Sequence, residues 1–247
     1  MEKREVFSSR WALILAALGM AIGTGNIWRF PRIIALNGGA VFLIPWIIFL
    51  FLWSIPLLIA ELAIGKHTRL GPVGAFGKLI GKKYSWMGGF VGFCTMAIMF
   101  YYSVVMGWCV KYFVSSLVGN LGQTNALEYW NAFVSRPYLP VVFHFIAIST
   151  GALIIYKGVV RGIEKANRIL IPSLIGLMII ICIRALTLPG AVHGLNFFFD
   201  PNWKLLLDHE VWLNALSQSA WSTGAGWGLL LTFAIYTKKN EDIVLNS

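Results

Sequence analysis

Two stretches of this chain place glycines and polar side chains inside long apolar runs, a combination suited to holding a small charged ligand. The first reads Leu18-Gly19-Met20-Ala21-Ile22-Gly23-Thr24-Gly25-Asn26, followed by Ile27-Trp28-Arg29. The second reads Ser217-Gln218-Ser219-Ala220-Trp221-Ser222-Thr223-Gly224-Ala225-Gly226-Trp227-Gly228. A glycine costs about 1 kcal/mol relative to alanine in a helix interior. Polar side chains deep in an apolar run need a partner or a cavity. Both stretches are therefore expected to interrupt their helices, and unwound backbone offers carbonyls to a cation and N–H groups to an anion. Helix packing is the competing reading, because Gly19/Gly23, Gly88/Gly92 and Gly224/Gly228 all have GxxxG spacing. Packing accounts for the 88–92 pair. It does not account for Asn26, Arg29, Ser222 and Thr223 beside the other glycines.

Other groups bear on the same chemistry. Tyr101 and Tyr102 fall midway along an apolar run, so one hydroxyl faces either a polar cavity or an intrahelical carbonyl. Glu61 sits near the inner end of the second run, where a carboxylate is paired, protonated or part of an ion path. Arg29 can gate or snorkel, while Lys111 and Arg184 lie near run ends and snorkel. Cys94, Cys109 and Cys182 lack CxxC spacing and read as small buried hydrophobes. The histidines form no HExxH pair, and no Ser/His/Asp or paired-Asp arrangement suggests an enzyme. Gly23-Thr24-Gly25 is no nucleotide loop, because no strand precedes it and Trp28 follows.

Composition says which elements position these groups. Of 247 residues, 58% are hydrophobic and only 12% charged, and mean hydropathy is +0.74. A soluble domain is about half apolar and about a quarter charged. A soluble enzyme, a disordered chain and a disulfide scaffold are thereby excluded, leaving an integral membrane protein. Six runs, 11–36, 41–65, 88–118, 138–156, 167–188 and 211–237, can each cross about 30 Å of hydrocarbon as helix. β-barrel alternation is absent, and the first run has no A-x-A-type signal-peptide exit. The expected fold is an all-α, multi-pass cell-membrane protein with six transmembrane helices, the first and sixth discontinuous.

The net charge of +10 is a topology signal and does not point to nucleic acid. Lys3, Arg4 and Arg10, then Lys66, Arg69, Lys78, Lys82 and Lys83, then Lys157, Arg161, Lys165 and Arg168, then Lys238 and Lys239 all fall on one side. The opposite loops hold Arg136 and Lys204. The positive-inside rule puts the N-terminus 1–10 and the tail 238–247 in the cytoplasm, and 119–137 and 189–210 outside.

The residues quoted above carry a resemblance. Gly23 through Pro31, Asn37-Gly38-Gly39, Phe42-Leu43-Ile44-Pro45, Glu61 after Ile55-Pro56-Leu57, Tyr101-Tyr102 and Asp242-Ile243-Val244-Leu245 closely resemble the neurotransmitter:sodium symporter family over essentially the whole chain. The resemblance implies sodium-coupled amino-acid symport by alternating access, in a LeuT-type fold of two inverted five-helix repeats. Residues 11–188 would be the first repeat, 189–210 an extracellular connection and 211–237 the broken first helix of the second repeat, all within one transmembrane domain. It also implies a first sodium site at Ala21, Asn26 and Ser222, and part of a second at the carbonyls of Gly19 and Ile22. The substrate carboxylate would meet the N–H groups of Thr24 and Gly25, the first sodium and the Tyr102 hydroxyl. The amine would meet carbonyls near Ala21, Trp221 and Ser222, and Ile98, Trp221, Gly224 and Trp227 would line the side-chain pocket. Arg29 matches an outer gate and Arg4 resembles an inner one. Amine carriers of the family have Asp where this chain has Gly23, which favours an amino acid over a monoamine.

Three departures qualify the resemblance. Trp46 replaces the family's chloride-associated Tyr, which weakens the case for chloride, and Phe7 replaces the inner-gate Trp. The family has eleven or twelve spans, so the chain corresponds to an N-terminal half. Two carbonyls are too few for the second sodium, so transport is expected to need the other half, in the same polypeptide or as a second subunit. A non-transporting remnant or an interaction subunit of a split transporter is the alternative. A self-sufficient homodimer would duplicate first-repeat groups without creating the missing ligands.

Overall fold

The computed structural model describes residues 5–23, 25–119, 121, 125–238 and 242. Helix α1, Arg10–Ala21, begins where the Ser9 hydroxyl accepts from the Ala12 N–H at 3.2 Å, a serine N-cap. It stops at Ile22, whose N–H returns to the Leu18 carbonyl at 2.7 Å. Helix resumes as a π turn, Gly25–Arg29, which runs into α2, Phe30–Leu36. The two halves, Arg10–Ala21 and Gly25–Leu36, meet at 56°.

Gly38 and Gly39, at φ 85 and 68, then turn the chain into a long composite helix. It comprises a 3-10 turn, Gly39–Phe42, then α3, Leu43–Phe49, a π turn, Leu50–Ser54, and α4, Ile55–Thr68. Pro56 opens α4 without an N–H, and its ring crowds the carbonyl four residues back, so the backbone widens there instead of breaking. Next come α5, Pro72–Leu79, a 3-10 turn, Lys82–Tyr84, and the 33-residue α6, Ser85–Leu117.

Then follow α7, Ala126–Val134, and α8, Leu139–Tyr156. A π turn, Val159–Glu164, leads into α9, Lys165–Leu186. After it come α10, Ala191–Phe199, a 3-10 turn, Trp203–Leu207, α11, His209–Thr223, and α12, Leu229–Ala234. Among the described residues, four helical stretches are long and apolar enough to cross a membrane: Gly39–Thr68, Lys82–Leu117, Leu139–Tyr156 and Val159–Leu186. The bent pair Arg10–Ala21 plus Gly25–Leu36 makes a fifth if it is one span. These five coincide with the first five runs of the sequence. The sixth run, 211–237, does not qualify as a single long helix. Asn214, Gln218 and four hydroxyl residues dilute α11, and a glycine turn leaves α12 six residues long.

The chain divides into two compact units: 1–92 with 164–247, and 93–163. In the first unit the core has two parts. Leu58 and Leu62 of α4 pack with Ala225, Leu230 and Ala234, and Ala17, Met20 and Leu57 complete this cluster. Phe42, Val211 and Ala215 form the other, with Phe30, Trp46 and Phe49 against it. Gly65 permits the close approach of α4 to α12, since a Cβ there would collide with the Leu231 carbonyl and the Ala234 methyl. In the second unit Gly107 does the same for α6 and α8, against the His144 backbone.

Candidate functional site

Both glycine stretches break their helices in the first unit, and the breaks meet. The Asn26 side chain crosses between them: its Nδ2 donates to the Ala21 carbonyl at 2.8 Å and to the Ser222 carbonyl at 3.0 Å. Its Oδ1 is buried with no hydrogen-bond partner among the described residues. Two carbonyls and the Asn26 amide nitrogen therefore gather at one point, drawn from both ends of the first break and from the end of α11. Loss of helix is what frees these groups, because the last carbonyls of a helix lack intrahelical donors.

The second break is built by left-handed glycines and held by a carboxylate. Gly224, Gly226 and Gly228 have φ of 65, 85 and 71, a conformation that side chains resist. Glu61 reaches across from α4 into this turn. Its Oε1 accepts from the N–H groups of Gly226 at 2.7 Å and Gly228 at 3.1 Å, and its Oε2 from Leu231 at 3.1 Å. These are the donors that the start of α12 leaves without helical acceptors. A buried carboxylate with three amide donors is well solvated by the protein itself.

Side chains along the break form an aromatic and cationic cluster. Trp221 and Trp227 stack edge to face, with centroids 5.2 Å apart at 89°. A Cβ on Gly224 would lie 3.4 Å from the Met20 methyl and 3.9 Å from Trp227, so the absent side chain leaves only contact-sized room. The Arg29 guanidinium sits 5.7 Å from the Trp221 ring centroid, a cation–π distance. It also donates to Gln218 Oε1 at 2.7 Å and to Ser217 Oγ at 3.3 Å. Trp46 Nε1 donates to Ser222 Oγ at 3.3 Å, and that hydroxyl donates to the Gln218 carbonyl at 2.7 Å. Ser54 and Ser219, both fully buried, share a hydrogen bond at 2.7 Å.

The model of the sodium:neurotransmitter symporter family matches residues 4–135 and 141–247. The chain belongs to this family. An uncharacterised sodium-dependent transporter, MJ1319, of Methanocaldococcus jannaschii is 38% identical over 255 residues, covering 99% of this chain and 52% of that protein. The sodium-dependent neutral amino acid transporter B(0)AT2 of Pongo abelii is 28% identical over 276 residues, covering 98% of this chain and 37% of its own. Among solved structures, MhsT in complex with L-phenylalanine superposes with a TM-score of 0.89 at 36% identity, covering 99% of this chain and 56% of MhsT. The chain thus spans about half the length of MJ1319 and MhsT. The family consists of transporters, not enzymes, and the chain is a multi-pass membrane protein with an all-helical fold like that of MhsT.

Within this chain the expected groups fall as follows. Ala21, Asn26 and Ser222 come together, and Trp221, Gly224, Trp227 and Arg29 surround the same break. Gly25 is buried in the π turn beside it. Gly19 and Ile22 lie on the side of α1 that faces α9. A Cβ on Gly19 would meet the Asn167 amide, and Ile22 lines an apolar groove of about 410 Å³ with Asn26, Leu174, Ile175 and Met178. Ile98 and Tyr102 lie on α6 in the second unit, where Tyr101 and Tyr102 stack at 5.7 Å. Thr24 and Arg4 lie outside the described residues. Sequence reasoning assigned no role to Ser54, Ser217, Gln218, Ser219 or Met20. Gln218 was visible as an amide four residues before Ser222, a spacing that puts both on one helix face. Met20 carried no such signal.

Proposed function

We propose that this chain supplies the substrate- and sodium-holding half of a symporter that couples sodium entry to amino-acid uptake across the cell membrane by alternating access. The observation that carries this reading is the meeting of the Ala21 and Ser222 carbonyls with the Asn26 amide. A half-turn of that amide exchanges its N–H pole for Oδ1 and gives a cation three oxygens from two broken helices. The second sodium would use the carbonyls of Gly19 and Ile22. The N–H groups of Thr24 and Gly25, with the Tyr102 hydroxyl, would receive the substrate carboxylate. Ile98, Trp221, Gly224 and Trp227 would receive its side chain. Gly23 contributes no side-chain carboxylate, so the substrate brings its own; the L-phenylalanine bound by MhsT is consistent with that. Arg29 and Arg4 would close the outer and inner ends. Trp46 spends its one donor on Ser222, which supports transport without a chloride requirement. The remaining sodium ligands and a gate partner for Arg29 besides Gln218, Ser217 and Trp221 would come from protein beyond these residues, on the same polypeptide or a second subunit.

The test is binding of radiolabelled amino acids to the complete transporter in sodium and in potassium. Saturable binding in sodium, lost on Asn26→Ala, is expected. Binding that ignores the cation would falsify the assignment.

A further inference from the structure

The segment from the last turn of α4 to the start of α6 is rich in cations. Lys66, Arg69, Lys78, Lys82 and Lys83 fall within it, and no Asp or Glu occurs anywhere between Glu61 and Glu128. Arg69 and Lys78 bond to backbone carbonyls of the protein: Arg69 donates to the Ile235 and Thr237 carbonyls at 2.7 and 2.6 Å, and Lys78 Nζ to the Thr68 carbonyl at 3.3 Å. Lys82 and Lys83 are exposed, and neither pairs with a carboxylate among the described residues. Lys83 Nζ lies 4.8 Å from the Tyr84 ring centroid. The other basic loop differs, because Glu164 there pairs with Arg168.

The depth of the two lysines is set by their helix. Lys82 is the first residue of the membrane-crossing stretch Lys82–Leu117, and Tyr84 and Trp86 follow within one turn. Tyrosine and tryptophan favour the headgroup level, which places the lysines at the phosphates. On the other side of the Gly81 turn, Leu79 and Ile80 end α5 exposed, at 43% and 50%, and Trp86 is 64% exposed. Apolar side chains thus flank two lysines at one corner.

We propose that the corner Leu79–Trp86 binds an anionic phospholipid. Lys82 and Lys83 take the headgroup phosphate, while Leu79, Ile80 and Trp86 seat among the acyl chains. Charge selects the lipid: Lys82 and Lys83 favour the net negative headgroup of phosphatidylglycerol over the zwitterionic, net-neutral headgroup of phosphatidylcholine. The inference requires membrane embedding and is independent of sodium coupling.

The full chain is purified in detergent, and its lipid adducts are counted by native mass spectrometry after addition of phosphatidylglycerol or phosphatidylcholine. Preferential retention of phosphatidylglycerol is expected. Each lysine at a charged membrane surface is worth roughly fivefold in affinity, so Lys82→Gln with Lys83→Gln should lose roughly 30-fold. The double arginine variant should retain the lipid, as should Lys157→Gln with Lys165→Gln. On the unmodified chain, raising salt from about 0.05 to about 0.5 M should weaken phosphatidylglycerol retention. Equal retention of the two lipids, retention indifferent to salt, or a glutamine variant that behaves like the 157/165 control overturns the proposal. So does full displacement by an equal concentration of inorganic phosphate, which would make the site one for the free anion.

Discussion

Substituting Glu61 tests whether a carboxylate on one helix holds the break in another. Glu61→Gln keeps a carbonyl oxygen that can accept from Gly226 and Gly228. It replaces the oxygen that faces the Leu231 N–H with an NH2 group, so donor meets donor. A hydrogen bond to a charged group is worth about 1.5–3 kcal/mol. The glutamine variant should therefore loosen the start of α12 by that amount, a roughly 10- to 150-fold rise in local opening. Glu61→Ala strips all three donors, roughly 5–9 kcal/mol before relaxation, which is comparable to the whole stability of a domain. The informative assay is amide hydrogen exchange of 225–231 in the glutamine variant, with 209–220 of α11 as internal reference. Leu231 should exchange faster than Gly226 and Gly228, and α11 should not change. Unaltered exchange across 225–231, or equal acceleration at the three amides, refutes the clamp and returns Glu61 to an ion-path role.

Other perturbations have equally definite outcomes. Gly65→Ala puts a methyl against the Leu231 carbonyl and should cost about 1–3 kcal/mol as overpacking, read as a lowered Tm. Arg29→Leu removes the donors to Gln218 and Ser217 and the cation over Trp221; a Tm lowered by more than Arg29→Lys lowers it is expected. Uptake by the complete transporter should be equal in chloride and in gluconate, and a requirement for chloride would contradict the Trp46 reading. The Lys111 ammonium, donating to the Tyr129 oxygen at 2.7 Å, is the main cause of a Tyr129 phenol below its usual value of 10.0; the Ser115 hydroxyl adds to it. A depressed phenol favours the folded state only as pH rises through its folded value, so Lys111→Met should leave neutral stability to the lost contacts alone. Its phenolate absorbance, isolated by subtracting a Tyr129→Phe titration, should appear at higher pH than in the unmodified chain.

Length and apolarity were enough to determine a helical membrane protein and its four long apolar helices, with a fifth where the bent pair is one span, because a bilayer demands about twenty apolar residues whatever surrounds them. The glycines at 23, 25, 224, 226 and 228, set beside Asn26 and Ser222, marked where helices would yield, since backbone preference is local. Partnership was not local. Glu61 allowed three roles in the sequence, and only the placement of α4 against α12, through Gly65, turned it toward three particular amides 165 to 170 residues away. Arg29 was equally able to gate or to snorkel until α11 brought Gln218, Ser217 and Trp221 to it. Asn26 announced itself as a polar residue; that its amide bridges Ala21 and Ser222 depended on two breaks, 196 positions apart, meeting. A side chain's identity sets which bonds it can make, and the packing of distant helices decides which of them it does make.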